Sequence, residues 1–341
     1  MGRDIRFFGT SLNADDPTET GALLLEHSVS IIIPCYNAEH SVSRAIESAL
    51  QQTYQNCEVI VVDDGSTDGS RAKIQSYSDS IRCETISNGG ACIARNHGVT
   101  MAGGNYIQFL DADDEIHADK IHTQLPVVCD NPDAFVFTDG QMQQEGDSSD
   151  SQPFVREYCG GCLTTFLVRN NVQTSSPIHL KSDLQKISGF KPGRSCSQEY
   201  EMHLKLSQIK STAIRIPKSL FTLHRQKQSV SSNDVRLMVE RRNVVYELFQ
   251  RLEQQSNITE SIRVAIAERL AMDATKFKDL GERDHCLSNY RLARNVHAEG
   301  GLSVVYNKRS LAVAHRIVGP YNISKLVKGK SLLKQLFKLH R

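Results

Sequence analysis

The sequence predicts an α/β fold: a mostly parallel, doubly wound, Rossmann-like sheet followed by a helical C-terminal region. Three observations carry this. Between residues 29 and 138, short apolar runs alternate with stretches of helical periodicity. CEVIVVD (57–63) contains a continuous apolar run, as expected of a strand covered on both sheet faces. Polar clusters stand directly after three of the strands: PCYN (34–37), DDGSTDGS (63–70) and DADD (111–114). Strand–helix alternation at this pitch implies right-handed crossovers and a parallel sheet, in which ligands bind beyond the carboxyl ends of the strands.

VSIII (29–33) is the first strand, and EHSVSRAIESALQQ (39–52) carries Val42, Ala45, Ile46, Ala49 and Leu50 at helical spacing. After the second strand (57–63) come a helix near 68–77, a strand near 81–86 and a helix near 91–102. YIQFL (106–110), a helix over 118–129 and the strand AFVFT (134–138) complete the pattern. The stretch 140–153 is polar and breaker-rich and reads as a surface loop or a border. Residues 154–232 are mixed, with a helix near 198–209, and the text from 235 to 299 is helical. The organisation that follows is a loose lead-in (1–27), a main domain (28–232) divided near residue 140, and a helical region (233–341).

The 39% hydrophobic and 23% charged residues are those of a soluble globular chain, and the net charge of +1 gives no reason to expect a nucleic-acid partner. There is no run of eighteen apolar residues and no secretory leader pattern at the start. Nine scattered cysteines suit a reduced, cytoplasmic setting, and the CGGC at 159–162 reads as free thiols in a glycine-rich loop. After Glu299 there is no acidic residue, and SKLVKGKSLLKQLFKLHR (324–341) interleaves lysines with leucines. Residues 322–341 therefore suit peripheral contact with an anionic membrane, at the inner face of the plasma membrane, or a helix packed on the domain with a solvated lysine face.

YIQFLDADDEI (106–116) sets four acids in five positions after a strand. Asp111, Asp113, Asp114 and Glu115 repel one another unless solvent, hydrogen bonds or a cation relieve them. Asp111 and Asp113 offer hard oxygen ligands suited to Mg²⁺ or Mn²⁺, which take further oxygens from a diphosphate. Arg95, just inside a helix after the Gly pair of NGGACIARNHG (88–98), is a candidate for that diphosphate. Tyr36 can stack on a nucleobase, and Asp64 can accept hydrogen bonds from a base or ribose. Helix caps and turns are the competing use of the same residues. Neither G-x-G-x-x-G nor the Walker pattern occurs, which argues against a dinucleotide dehydrogenase or an ATPase.

VSIIIPCYNAEHSVSRAIESALQQTYQNCEVIVVDDGSTDGS followed by NGGACIARNHGVTMAGGNYIQFLDADD resembles the amino-terminal half of the family 2 glycosyltransferases, which have the GT-A fold. The resemblance implies inverting transfer of a sugar from a nucleotide-diphosphate donor, usually a UDP-sugar, to a glycan or lipid-linked acceptor in cell-surface polysaccharide biosynthesis. It makes residues 28–139 the nucleotide-binding half and 140–232 the acceptor half. It places Pro34, Tyr36 and Asn37 around the nucleotide, Asp64 at the base with Asp63 beside it, and Arg95 at the diphosphate. Asp111-Ala112-Asp113 becomes the D-x-D element, with Asp113 the direct ligand of Mn²⁺ or Mg²⁺ and Asp111 nearer the ribose. The family's catalytic acid pair corresponds to Gln198-Glu199 in SQEYEMHLKLSQ (197–208), a departure that leaves Glu199 as the base and Glu201 as its competitor. Arg225 or His224, in LHRQKQSVSS (223–232), is implied near diphosphate or metal, and Ser175 and Ser176 near the donor sugar. A catalytically inactive nucleotide-sugar-binding or scaffold protein of the same shape is the alternative.

Overall fold

The computed structural model describes residues 27–144, 147–225 and 234–297. Strand β1 (Val29–Cys35) is buried along its whole length, and its side chains divide by parity. Val29, Ile31, Ile33 and Cys35 enter one core with Val42, Ala45 and Ile46 of helix α1 (Val42–Leu50), while Ile32 enters the core on the other face. Strand β2 (Cys57–Asp63) repeats the division, with Val59 and Val61 on the first side and Ile60 and Val62 on the second.

The main sheet adds β3 (Arg82–Thr85), β4 (Tyr106–Phe109) and β8 (Ile178–Leu180) in the order β3-β2-β1-β4-β8. The first four strands are parallel and β8 is antiparallel. Helices α2 (Ser70–Gln75) and α3 (Ala91–Met101) provide the next crossovers. Because β1 has β2 on one side and β4 on the other, the winding direction reverses there, and a crevice opens at the carboxyl ends of β1 and β4. Pro34 marks that opening. The register with β4 ends at Ile32–Phe109, and Cys35 turns its carbonyl toward β2, where Asp64 N–H donates at 2.8 Å. The missing N–H of Pro34 thus falls where no ladder remains, which is how a proline is tolerated in a central strand.

Two expectations fail here. AFVFT does not extend the main sheet: as part of β6 (Ala134–Gln144) it runs parallel to β9 (Thr212–Arg225) in a second sheet, ordered β5-β9-β6-β7 with β5 (Glu115–Ile116) at one edge. The polar stretch 140–153 is not a loop. It pairs as an antiparallel hairpin between β6 and β7 (Asp147–Phe154), in register from Gly140–Phe154 to Gln143–Ser151. An antiparallel edge can face water, so it needs no apolar residues to pair.

Helices α4 (Lys120–Asp130), α5 (Leu163–Arg169), α6 (Lys181–Lys186) and α7 (Gln198–Leu206) surround the two sheets. The C-terminal helices α8 (Asp234–Gln254), α9 (Glu260–Asp279) and α10 (Arg283–Val296) share a core with the main sheet: Val245, Leu248, Ile266 and Phe277 belong to the same buried cluster as Ile107, Phe109 and Phe190. No helix among the described residues is long and apolar enough to cross a membrane. Residues 1–26 of the lead-in and the basic tail at 322–341 lie outside the described residues.

Two histidines are buried where the sheet meets α7. The His179 and His203 rings lie 5.6 Å apart, and His203 meets Phe135 edge-on at 5.0 Å. His179 Nε2 and both His203 nitrogens have no hydrogen-bond partner among the described residues. Burial pushes His203 down to about 3, and burial together with His203, Lys210 and Lys120 pushes His179 well below the ordinary range. A group whose folded pKa is depressed binds its proton first in the unfolded chain, so stability declines as pH falls below about 6.5. Urea denaturation at pH 7 and pH 5 checks this. Replacing His203 by Phe is expected to remove about 2 kcal/mol of the acid-induced loss, one depressed histidine's share over that interval.

Candidate active site

Three loops at the crevice are stitched together by the residues that follow the strands. Tyr36 is 50% exposed and stands out over the rim. Asn37 adopts φ of 49°, a conformation Asn accepts more readily than most residues. Its Oδ1 accepts from the Thr67 backbone N–H at 2.8 Å, and its own N–H donates to Ser66 Oγ at 3.1 Å, joining the loops after β1 and β2. Asp63 is buried and accepts from the Ser66 N–H at 3.0 Å and the Thr85 hydroxyl at 3.3 Å. Asp64, 3% exposed, holds the N–H groups of Gly89 and Gly90 at 2.8 Å each. Gly90, at φ of 89°, is the N-cap of α3, so Asp64 fixes the entry of the helix that carries Arg95. Asp63 and Asp64 thus have a structural task that the sequence reading assigned only to caps in general.

Arg95 is 7% exposed, with its guanidinium 5.1 Å over the Phe190 ring. Its Nη2 donates to Asp111 Oδ1 at 2.6 Å and its Nη1 to Gln198 Oε1 at 2.5 Å. Burial alone loosens the Arg95 proton, but the Asp111 carboxylate outweighs it and holds the guanidinium more firmly charged than usual. Arg95 therefore ties the end of β4 to the start of α7 instead of standing open to solvent.

The four acids divide by task. Asp114 is 6% exposed, and its Oδ1 accepts the His224 N–H at 3.1 Å. Burial, then the charges of Asp113 and Asp111, push its carboxyl well above the ordinary range. Glu115 Oε2 lies 2.5 Å from His224 Nε2, so Asp114 and Glu115 anchor the end of β9. Arg44 Nη2 donates to the Asp113 backbone carbonyl at 2.7 Å. Asp111 is ion-paired with Arg95, and Asp113 is half-buried beside it. Of the pair His224 and Arg225, it is His224 that joins the acids; Arg225 is exposed at the end of β9, its carbonyl accepting from Gln144 Nε2 at 3.0 Å. Pro34 and Ala112 are buried parts of the rim backbone.

Helix α7 begins after Ser197, at φ of 56°. Glu199 is half-buried, with Oε1 accepting from Asn171 Nδ2 at 3.1 Å. Glu201 is committed elsewhere: its Oε2 is 2.5 Å from Arg194 Nε, and Arg194 also meets Glu240 and Glu247 of α8 at 3.1 Å each. That cluster fastens α7 to α8 and gives Glu201 a structural partner that Glu199 lacks. Gln198, whose Nε2 also donates to the Arg194 carbonyl at 2.8 Å, is a bridging residue that pattern reading registered only as a departure. Ser175 and Ser176, implied near the donor sugar, lie in the interior, and Ser175 Oγ has no hydrogen-bond partner among the described residues. Both are buried, and Ser176 Oγ exchanges hydrogen bonds with the Thr138 backbone, from its N–H at 3.0 Å and to its carbonyl at 2.7 Å, so it braces β6.

A family model for glycosyl transferase family 2 matches residues 30–173. The putative teichuronic acid biosynthesis glycosyltransferase TuaG of Bacillus subtilis (strain 168) is 33% identical over 198 residues, covering 51% of this chain and 79% of TuaG. The chain is a family 2 glycosyltransferase. This glycosyltransferase is also 39% identical over 158 residues to the UDP-Glc:alpha-D-GlcNAc-diphosphoundecaprenol beta-1,3-glucosyltransferase WfgD of Escherichia coli, covering 42% of its own length and 61% of WfgD. Its fold is that of the GT-A enzymes: the crystal structure of S. aureus TarS 1-349 in complex with UDP-GlcNAc superposes with a TM-score of 0.51 at 16% identity, covering 80% of this glycosyltransferase and 92% of that chain.

Proposed function

We propose that this glycosyltransferase moves a sugar, with inversion, from a UDP-sugar to a hydroxyl of a lipid-linked or glycan acceptor, with Glu199 as base. The observation that carries the reading is Arg95, which joins Asp111 at 2.6 Å and Gln198 at 2.5 Å and so brings the carboxylate rim and the Glu199 helix together. Tyr36 offers an exposed face for a uracil, and the loops held by Asn37, Asp63 and Asp64 shape the nucleotide's berth. Glu199 accepts the acceptor hydroxyl's proton while that oxygen forms its bond to the anomeric carbon; the bond from that carbon to the β-phosphate oxygen breaks, and its electron pair leaves with UDP. Asn171 holds Glu199 in place for this.

The acids also fit a divalent cation. Asp114 is pushed up by burial and then by the neighbouring charges of Asp113 and Asp111, a repulsion that a cation relieves, and the Asp111 and Asp113 carboxylates are hard oxygen donors. Among the described residues no three His, Cys, Asp or Glu side chains form a metal cage, so Asp113 and Asp111 would hold Mn²⁺ or Mg²⁺ with the remaining ligands from substrate and water. The bound ion would neutralise charge on the diphosphate. The diphosphoundecaprenol-linked acceptor in WfgD's name and the teichuronic acid biosynthesis in TuaG's support a place in cell-surface polysaccharide assembly.

A panel of UDP-sugars with Mn²⁺, read by UDP release, tests the reading. Turnover is expected with one donor, stimulated by a polyprenyl-diphosphate-linked sugar as acceptor. Tight UDP binding with no turnover on any donor or acceptor would instead mark a nucleotide-sugar-binding protein.

A further inference from the structure

Most buried or half-buried arginines here meet a carboxylate: Arg95 has Asp111, Arg194 has three glutamates, Arg215 has Asp139 and Glu157, and Arg269 has Asp273. Arg156 and Arg241 make no such pair among the described residues, nor do Arg242 and Arg251 further along α8. Arg156 donates from Nε to the Asn171 carbonyl at 3.0 Å and from Nη1 to the Val155 carbonyl at 2.9 Å, and it lies 4.1 Å over the Phe154 ring; its Nη2 has no hydrogen bond among the described residues. Arg241 lies 5.8 Å over the Tyr200 ring and makes no hydrogen bond or ion pair among the described residues; its Nε is buried without a partner.

Both arginines adjoin the proposed base. Asn171 gives its side-chain N–H to Glu199 and its carbonyl to Arg156, and Tyr200, under Arg241, follows Glu199 in α7. Desolvation lowers both guanidinium groups, and the charge of Arg241 lowers Arg156 further. Of the two acids whose charge reaches Arg241, Asp273 is already bound by Arg269 and the other is Glu199 itself. Two half-desolvated, mutually repelling cations that bond no carboxylate among the described residues are costly to a fold, and an anionic ligand offsets that cost.

We propose that Arg156 and Arg241 form the subsite for the diphosphate of an isoprenoid-diphosphate-linked sugar acceptor. Arginine's planar fork suits phosphate oxygens. The assignment rests on the reading of Glu199 as the residue facing the acceptor hydroxyl: with the hydroxyl there, the diphosphate on the far side of the same sugar reaches Arg156 and Arg241. The other source of a diphosphate is the donor. Along the chain of contacts, Arg95, Gln198, Glu199 and Asn171 stand between the D-x-D acids and Arg156.

Farnesyl diphosphate titrated into the full-length protein, with saturating UDP and Mn²⁺ to fill the donor site, tests this. The double variant Arg156→Gln/Arg241→Gln is expected to bind the probe roughly tenfold or more weakly, because charged hydrogen bonds are lost. UDP affinity without the probe should be unchanged. Arg156→Lys/Arg241→Lys keeps the charge and should lose less, which separates a lost anion site from a damaged fold. Unchanged probe affinity in the Gln variant overturns the proposal, as does an equal loss for uncharged farnesol. A matching loss of UDP affinity would give the arginines to the donor instead and also overturn it. Wild-type protein that discriminates the probe through these arginines yet never binds UDP would sustain the subsite and refute the donor reading.

Discussion

Glu199→Gln is expected to lower sugar-transfer turnover by about 10³-fold, within the range a positioned general base contributes. The substitution keeps the shape and the hydrogen bond from Asn171, which approaches Oε1 at 3.1 Å, but removes the proton acceptor. Donor affinity and thermal midpoint should therefore stay as they are, and the loss should appear in kcat. Glu201→Gln supplies the contrast. Glu201 is 9% exposed and pairs with Arg194, whose other partners sit on α8. Breaking that contact should cost stability, by up to about 3–5 kcal/mol for a buried pair, while the enzyme that stays folded keeps most of its turnover. Steady-state kinetics beside urea denaturation separate the two, and a reversed pattern would transfer the base role to Glu201.

Asp113→Ala is the second large effect. We expect kcat/KM to fall by about 10²-fold or more, since a metal ion's charge stabilisation is worth several kcal/mol, and the response to added Mn²⁺ to disappear. Stability should not fall with it. Asp113 is one of the charges pushing the buried Asp114 carboxyl up, so its removal relieves repulsion within the fold. A variant that loses activity while its thermal midpoint holds or rises fits a residue kept for a ligand. A variant that retains metal-stimulated activity would return Asp113 to the turn.

The main sheet was legible because its strands are apolar by parity and their ends are polar; Ile31 and Ile33 face one core and Ile32 the other. The second sheet was not, because β6 and β9 pair across a long sequence separation and the β6–β7 hairpin is built from polar residues. At the rim, residue type gave the location but not the task. Asp64 holds two glycine N–H groups and Asp114 and Glu115 hold His224, bonds between residues far apart in sequence that a linear pattern does not show. Gln198 is the reverse case: a departure from the expected acid that the structure uses as the neutral partner of a buried arginine. Ser175 and Ser176 were pointed to by the family resemblance alone, and burial of Ser176 against β6 is a matter of tertiary packing.

A crystal structure of the protein grown with UDP and Mn²⁺ tests the central claim most directly. Density for uracil against Tyr36, with the diphosphate and an ion at Asp113, is the result the account predicts. Nucleotide bound away from that crevice, for instance in the cavity of about 280 Å³ lined by Arg44, Glu47, Glu115, Gln141 and Thr222, would contradict it.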